Sequence, residues 1–243
     1  MWRVGRLRAS EWLTRTQFTG DCFLQSMMGH GLTSKSNGEL VDKLVGRGFL
    51  VVSNPDVITA IKSVDRAAFL PIPTQSHPVY SNNPQRISKH HYMSTPQLHA
   101  QVISLLSARL GPGNTAMEIG CGTGFLPAVF SALRCTHVYG IENDAELLKD
   151  ALRLSEGTNV QVADILPKEA IFDAVYVAPY FDSFQSFEEF LASLRFNDDA
   201  VCVAPVQTDK ARVDQQLVLM TRGSGDWKRT DLFTALCEPL RAS

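Results

Sequence analysis

Three acidic side chains stand where apolar runs give way to loops: Glu118 within the run from Ala116 to Ile119, Glu142 after His137 to Ile141, and Asp164 after Val160 to Val162. Between the first two lies Glu118-Ile119-Gly120-Cys121-Gly122-Thr123-Gly124. Glycines in such a loop let the backbone turn tightly and approach a ligand closely. Phe125 occupies the place of the third glycine of a dinucleotide fingerprint, which disfavours a pyrophosphate cofactor. An ionised Glu118 at the end of a buried strand requires a ligand amine, a backbone donor or water as compensation. Glu142, 18 residues after Gly124, can accept hydrogen bonds from both hydroxyls of a ribose. Asp164 alone would read as a turn or cap residue; beside the other two it is positioned to face an adenine amine. Amine, ribose and adenine together point to S-adenosylmethionine.

The surrounding elements must hold these groups in a row. Past Gly113 the pattern is strand, loop, helix, repeated: helix Phe125 to Leu133, strand His137 to Ile141, helix Ala145 to Leu154, strand Val160 to Val162, strand Ala174 to Val177, helix Phe184 to Leu194 and strand Val201 to Ala204. This predicts an α/β fold, doubly wound and Rossmann-like, with a mostly parallel sheet and a ligand site beyond the strand carboxyl ends. Gln216 to Thr221 and Arg229 to Leu236, joined by Gly223-Ser224-Gly225-Asp226, predict a C-terminal antiparallel hairpin. Ahead of the sheet stands a helical preface. One helix is capped at Ser36/Asn37 with Leu40, Leu44 and Val45 on its apolar side; a second starts at Asn54-Pro55 with Val57, Ile58, Ile61 and Val64; a third runs from Thr95 and Pro96 to Leu110. The long connection from 69 to 93 is expected to cover a site. Residues 32–243 thus read as one domain, with 32–113 as preface and substrate-facing loop and 114–243 as the cofactor-binding sheet.

Composition narrows the classes. With 243 residues and 44% hydrophobic content the chain can bury a core without disulfides or metal. A net charge of −2 gives no global field for nucleic acid, and no apolar run approaches the roughly 20 residues a spanning helix needs. Five scattered cysteines without a Cys-x-x-Cys pair fit a reducing compartment. His90-His91 invites a metal reading, but adjacent strand residues face opposite ways and no further ligands cluster with them, so the pair is expected to line a substrate entrance. Residues 1–31 carry Arg3, Arg6, Arg8 and Arg15 with few acids. They read as a disordered extension, with a transit peptide, or a true start at Met27 or Met28, as the alternatives. The expected location is the cytoplasm, or the mitochondrion if the leader reading holds.

From about Ser36 onward the chain resembles the protein-L-isoaspartate (D-aspartate) O-methyltransferase family. The carriers are Ser63-Val64-Asp65-Arg66, Asn82-Asn83-Pro84-Gln85-Arg86-Ile87, Ser94-Thr95-Pro96-Gln97-Leu98-His99-Ala100, the glycine loop, Gly140-Ile141-Glu142, Phe172-Asp173-Ala174-Val175 and Glu238-Pro239-Leu240. The resemblance implies an enzyme, acting as a monomer, that methylates the free carboxylate of isoaspartyl and D-aspartyl residues in damaged proteins; the ester then collapses to a succinimide and hydrolysis restores some aspartate. It implies that Ser94 lies beside the transferred methyl and contacts the substrate carboxylate. It further implies that His91, Tyr92, Met93, Ser94 and His99 border the cofactor. Glu118, Gly120, Gly122, Thr123, Gly124, Glu142, Asn143, Asp164 and Ile165 complete that set. Read without the family, Ser94 is a helix-cap candidate, but Thr95 can serve as the cap and leave the Ser94 hydroxyl free. The chain departs from the family pattern at Ser88, Tyr92-Met93, Ala178-Pro179-Tyr180-Phe181, Ile165 and Arg241. Two other readings stand beside repair: a class I methyltransferase of another substrate class, and a non-catalytic relative that binds the cofactor.

Overall fold

The computed structural model describes residues 32–71, 77–209, 214–235 and 237. The expectations for residues 1–31, for Glu238-Pro239-Leu240 and for Arg241 lie outside the described residues. Seven strands form one sheet in the order β5-β4-β3-β6-β7-β8-β9. They are β3 Thr115–Ile119, β4 His137–Ile141, β5 Val160–Ala163, β6 Ile171–Val177, β7 Arg195–Val206, β8 Gln215–Gly223 and β9 Asp226–Ala235. Strands β5 to β7 pair in parallel, and β8 and β9 add antiparallel neighbours. A separate two-stranded hairpin joins β1 Gln85–Arg86 to β2 Tyr92–Met93, antiparallel.

The helices are α1 Asn37–Gly46, α2 Pro55–Ser63, α3 Pro96–Leu106, α4 Phe125–Ala132, α5 Ala145–Leu154 and α6 Phe184–Ala192. Side chains supply their starts: Ser36, Asn54, Thr95, Asp144 and Ser183 each accept a hydrogen bond from a first-turn N–H. Asn37, buried, donates to the carbonyls of Ile61, Lys62 and Val64 at 3.0, 3.1 and 3.0 Å, tying α1 to the end of α2.

Alternation along the strands sorts the core into two layers. Ala116, Ala174, Tyr176, Val201 and Val203 face Leu40, Val57, Val102 and Val129 of the first helices. Met117, Val175, Val177 and Cys202 face Phe187 and Leu191 of α6. Helix α3 is buried along its whole length, so an element read as part of a preface is sandwiched between the sheet and the other helices. Two expectations need correction. Val45 is 36% exposed rather than part of the apolar side of α1, because that side is set by Leu40, Val41 and Leu44. Strand β7 starts six residues before Val201: Arg195 and Phe196 pair with Ile171 and Phe172 although the intervening Asn197, Asp198 and Asp199 are exposed, with a register shift between Phe172 and Ala174.

Candidate active site

In the loop after β3 the backbone turns three times through left-handed conformations, at Gly120, Gly122 and Gly124, with φ of 71°, 55° and 91°. The positions are also crowded. A Cβ on Gly120 would stand 2.7 Å from Cδ of Pro179, and one on Gly122 would stand 2.8 Å from Cδ1 of Ile87. The loop is held from the neighbouring strand: the N–H groups of Gly120 and Cys121 donate to the Ile141 carbonyl at 2.8 and 3.1 Å. Glu142 completes the hold. Its Oε2 accepts from Gly122 N at 2.8 Å, and its Oε1 accepts from the N–H groups of Asn143 and Asp144, each at 2.9 Å.

Glu118 and Tyr176 pair across β3 and β6, on the face covered by α3. Both are buried, and Glu118 Oε2 and the Tyr176 hydroxyl have no hydrogen-bond partner. Burial, and then the nearby Glu142, push the Glu118 carboxyl well above its usual range. An orphaned acceptor of this kind at the edge of a cavity is a place for a donor from a ligand. Helix α3 contributes two more unpartnered polar atoms, His99 Nδ1 and Gln101 Nε2. His99 stacks on Phe125, with centroids 5.2 Å apart at 26°; burial, reinforced by Arg66, lowers its pKa to about 3 and keeps the ring neutral.

The hairpin forms the opposite wall. Ser88 N and Ile87 N donate to the His91 carbonyl at 3.3 and 3.0 Å, and Ser88 Oγ accepts from His90 N and His91 N at 3.3 and 3.2 Å. Ser88, a departure from the family pattern, is therefore part of the turn. His91 Nε2 lies 3.5 Å from Asp144 Oδ2, which ties the hairpin to the start of α5. Tyr92, 47% exposed, takes a hydrogen bond from Arg86 at 2.9 Å. Behind the hairpin, Asn82 and Gln97 bond reciprocally: Asn82 Nδ2 donates to Gln97 Oε1 and Gln97 N donates to Asn82 Oδ1, both at 2.9 Å. Thr95 caps α3, accepting from Leu98 N at 3.2 Å, and no protein group among the described residues bonds the Ser94 hydroxyl.

These walls enclose a cleft of about 1000 Å³, the size of a site for a nucleoside and a peptide segment together. Of the residues expected to touch cofactor or substrate, the cleft brings together His91, Tyr92, Met93, Ser94, His99 and Glu118. It also gathers Gly120, Gly122, Thr123, Glu142, Asn143 and Asp164. Two expected residues are not among its lining: Gly124 starts α4 and packs toward Ala151, and Ile165 points to solvent at 68% exposure. The Thr123 hydroxyl is spent on the fold, donating to the Phe69 carbonyl at 2.7 Å. Gln101, Pro179 and Tyr180 also line the cleft. Gln101 had a readable signal, a polar residue inside a helix otherwise apolar enough to be buried. Phe181, at the end of the departure Ala178-Pro179-Tyr180-Phe181, is largely drawn into the core: it bridges to Val206 and stacks on Phe187 at 5.0 Å. No cluster of His, Cys, Asp and Glu among the described residues could hold a metal ion, and no described helix is long and apolar enough to cross a membrane.

Comparison with known proteins gives the geometry its relatives. A protein-L-isoaspartate O-methyltransferase from Vibrio vulnificus is 30% identical over 181 residues, 70% of this chain and 80% of its own length. Protein-L-isoaspartate O-methyltransferase 1 of Arabidopsis thaliana is 30% identical over 124 residues; that match spans 50% of this chain and about half, 52%, of the plant protein. Among solved structures, a Plasmodium falciparum protein in complex with S-adenosyl-L-homocysteine superposes with a TM-score of 0.71 at 21% identity, covering 86% of this chain and 99% of that one, a likeness of fold. The family described as protein-L-isoaspartate(D-aspartate) O-methyltransferase matches residues 35–181, from the start of the helical layer through the hairpin and the glycine loop to the wall after β6, and the chain belongs to that family.

Proposed function

We propose that this protein transfers a methyl group from S-adenosylmethionine to the free carboxylate of L-isoaspartyl and D-aspartyl residues in damaged proteins, the step that opens their repair. The strand-end residues suit that cofactor. Glu118 offers an unpartnered oxygen for an ammonium group, Glu142 Oε2 keeps acceptor capacity beyond its bond to Gly122, and Asn143 and Asp164 line the same end of the cleft. When bound, S-adenosylmethionine supplies an electrophilic methyl carbon on a cationic sulfur.

The observation that carries the substrate reading is the unengaged hydroxyl of Ser94 in the cleft wall. Thr95 does the capping, so Ser94 can donate to a carboxylate oxygen and orient it. An aspartyl-type carboxylate, with an ordinary pKa of about 3.9, is ionised at neutral pH and needs no general base. His99, its pKa lowered by burial to about 3, binds protons too weakly to take one up at pH 7, and the reaction asks no such service of it. Catalysis then rests on alignment and exclusion of water, and orientation of this kind can supply roughly 7 to 11 kcal/mol. We place the protein in a reducing compartment, the cytoplasm or, if residues 1–31 are a leader, the mitochondrion; the scattered cysteines without a Cys-x-x-Cys pair support this.

The test is a methyl-transfer assay on an isoaspartyl peptide and its normal-aspartyl twin, with cofactor binding followed by calorimetry. The isoaspartyl peptide should be methylated and its twin ignored. Cofactor binding without turnover of either peptide would identify a non-catalytic relative instead.

A further inference from the structure

Arg66 opens the 3-10 turn Arg66–Phe69 and is 1% exposed, among the largest fully buried side chains of the protein. A buried guanidinium ordinarily has a carboxylate beside it, since removing a cation from water is costly. Arg66 has none among the described residues. Its neighbour Asp65 faces elsewhere, accepting from Ala67 N at 2.9 Å and from the Tyr80 hydroxyl at 3.0 and 2.9 Å. The Arg66 donors go to backbone carbonyls: NH1 and NH2 both reach Ser94 O at 3.2 Å, NH2 also reaches Asn83 O at 3.4 Å, and Nε has no partner. Burial lowers its pKa to about 9, so the group stays cationic at neutral pH, and its charge is felt as far as His99.

A carbonyl can be satisfied by a neutral amide at far smaller desolvation cost than by a cation. An uncompensated positive charge directly behind Ser94 has a use when an anion arrives on the other side. We propose that Arg66 is a positioning residue for methyl transfer: its planar fork clamps the Ser94 carbonyl and so fixes where the Ser94 hydroxyl stands, while its charge favours an anionic carboxylate in the adjoining cleft. Arg66 does not line the cleft, so it acts through Ser94 and through its field. The inference rests on the methyl-transfer reading above.

The experiment compares wild type with Arg66→Lys and Arg66→Gln in the full chain. It measures steady-state kinetics on the isoaspartyl peptide, S-adenosylhomocysteine affinity by calorimetry, and melting temperature. Lysine keeps the charge and loses the fork; glutamine loses the charge. Both variants should bind S-adenosylhomocysteine within about threefold of wild type and lose at least about tenfold in kcat. Peptide KM should rise in the glutamine variant and stay near wild type in the lysine variant. A wild-type kcat in Arg66→Lys, or a loss of cofactor affinity matching the loss of kcat, overturns the proposal and leaves Arg66 a packing residue. If the glutamine variant does not fold, the kcat and KM of the lysine variant decide. Wild-type turnover with unaffected variants sinks this inference alone; absence of turnover in the wild type sinks it together with the reading beneath it.

Discussion

The two ends of the cleft are built by different means. At one end Glu118 lies near the end of β3 while Glu142 and Asp164 follow β4 and β5, and the parallel register Glu118 to Gly140 to Val162 sets their spacing through backbone hydrogen bonds. At the other end Ser94 follows a hairpin whose strands are two residues long, and its place depends on side chains: the Arg66 fork, the Asn82–Gln97 pair and the Ser88 turn. A ladder places every residue on it whatever the side chains are, whereas a side-chain anchor places one residue and disappears with one substitution. The end proposed for the cofactor is therefore the robust part of the site, and the end proposed for the substrate is the part a few changes can retune.

The comparison can be broken most severely at Gly122, where the two ends touch. Gly122→Val puts a β-branched side chain at a strained φ of 55° and its Cβ 2.8 Å from Cδ1 of Ile87, which must give way. Calorimetric titration with S-adenosylhomocysteine should show no binding; an unchanged affinity would mean that the glycine loop is not the cofactor site. Ser94→Ala tests whether the substrate end can fail alone. Losing a hydrogen bond to a charged acceptor, about 1.5 to 3 kcal/mol, should reduce turnover roughly ten- to hundredfold while cofactor affinity stays within about 1 kcal/mol. Equal losses in both would merge the two ends into one unit.

His99, between the ends, sharpens the comparison through pH. Its folded pKa of about 3 lies below the ordinary 6.5, so between these values the unfolded chain binds the extra proton. Stability from this group is whole above about 6.5 and falls as the pH drops toward 3, by about 2 kcal/mol at pH 5. Glu118 works in the opposite sense: its raised pKa contributes stability below the unfolded value that is lost as pH rises through the folded one. Urea unfolding of wild type and His99→Gln at pH 7.5 and pH 5 separates the two, since Glu118 is common to both proteins. The variant should lose about 2 kcal/mol less on acidification, and parallel curves would show that His99 is not buried neutral.

How much of this was readable in advance follows the same division. The parallel sheet with its antiparallel tail and the acidic row are consequences of alternating apolar runs and glycine spacing, signals local to the sequence; β4 and α5 are found with the bounds expected, His137–Ile141 and Ala145–Leu154. The start of β7 was hidden, because Asn197-Asp198-Asp199 carries no strand pattern and pairing with β6, 24 positions earlier in the chain, draws Arg195 and Phe196 into the sheet. The role proposed for Ser94 comes from family likeness, and the contacts that hold Ser94 in place were not readable at all. The bonds from Arg66 to Ser94 and from Asn82 to Gln97 join residues 28 and 15 apart, and no periodicity announces a contact of that kind. Ile165 shows the limit of carrying a site over by position: it follows Asp164 in the chain, yet the turn sends it outward.

The carboxylate of Glu142 already collects the amides of Gly122, Asn143 and Asp144, which gives ligand capture a particular character. The loop's conformational entropy is surrendered when the chain folds, not when a nucleoside arrives. Encounter should then be governed by diffusion into the cleft, without a slow ordering phase, and differences in affinity between cofactor and spent product should reside in how fast each one leaves.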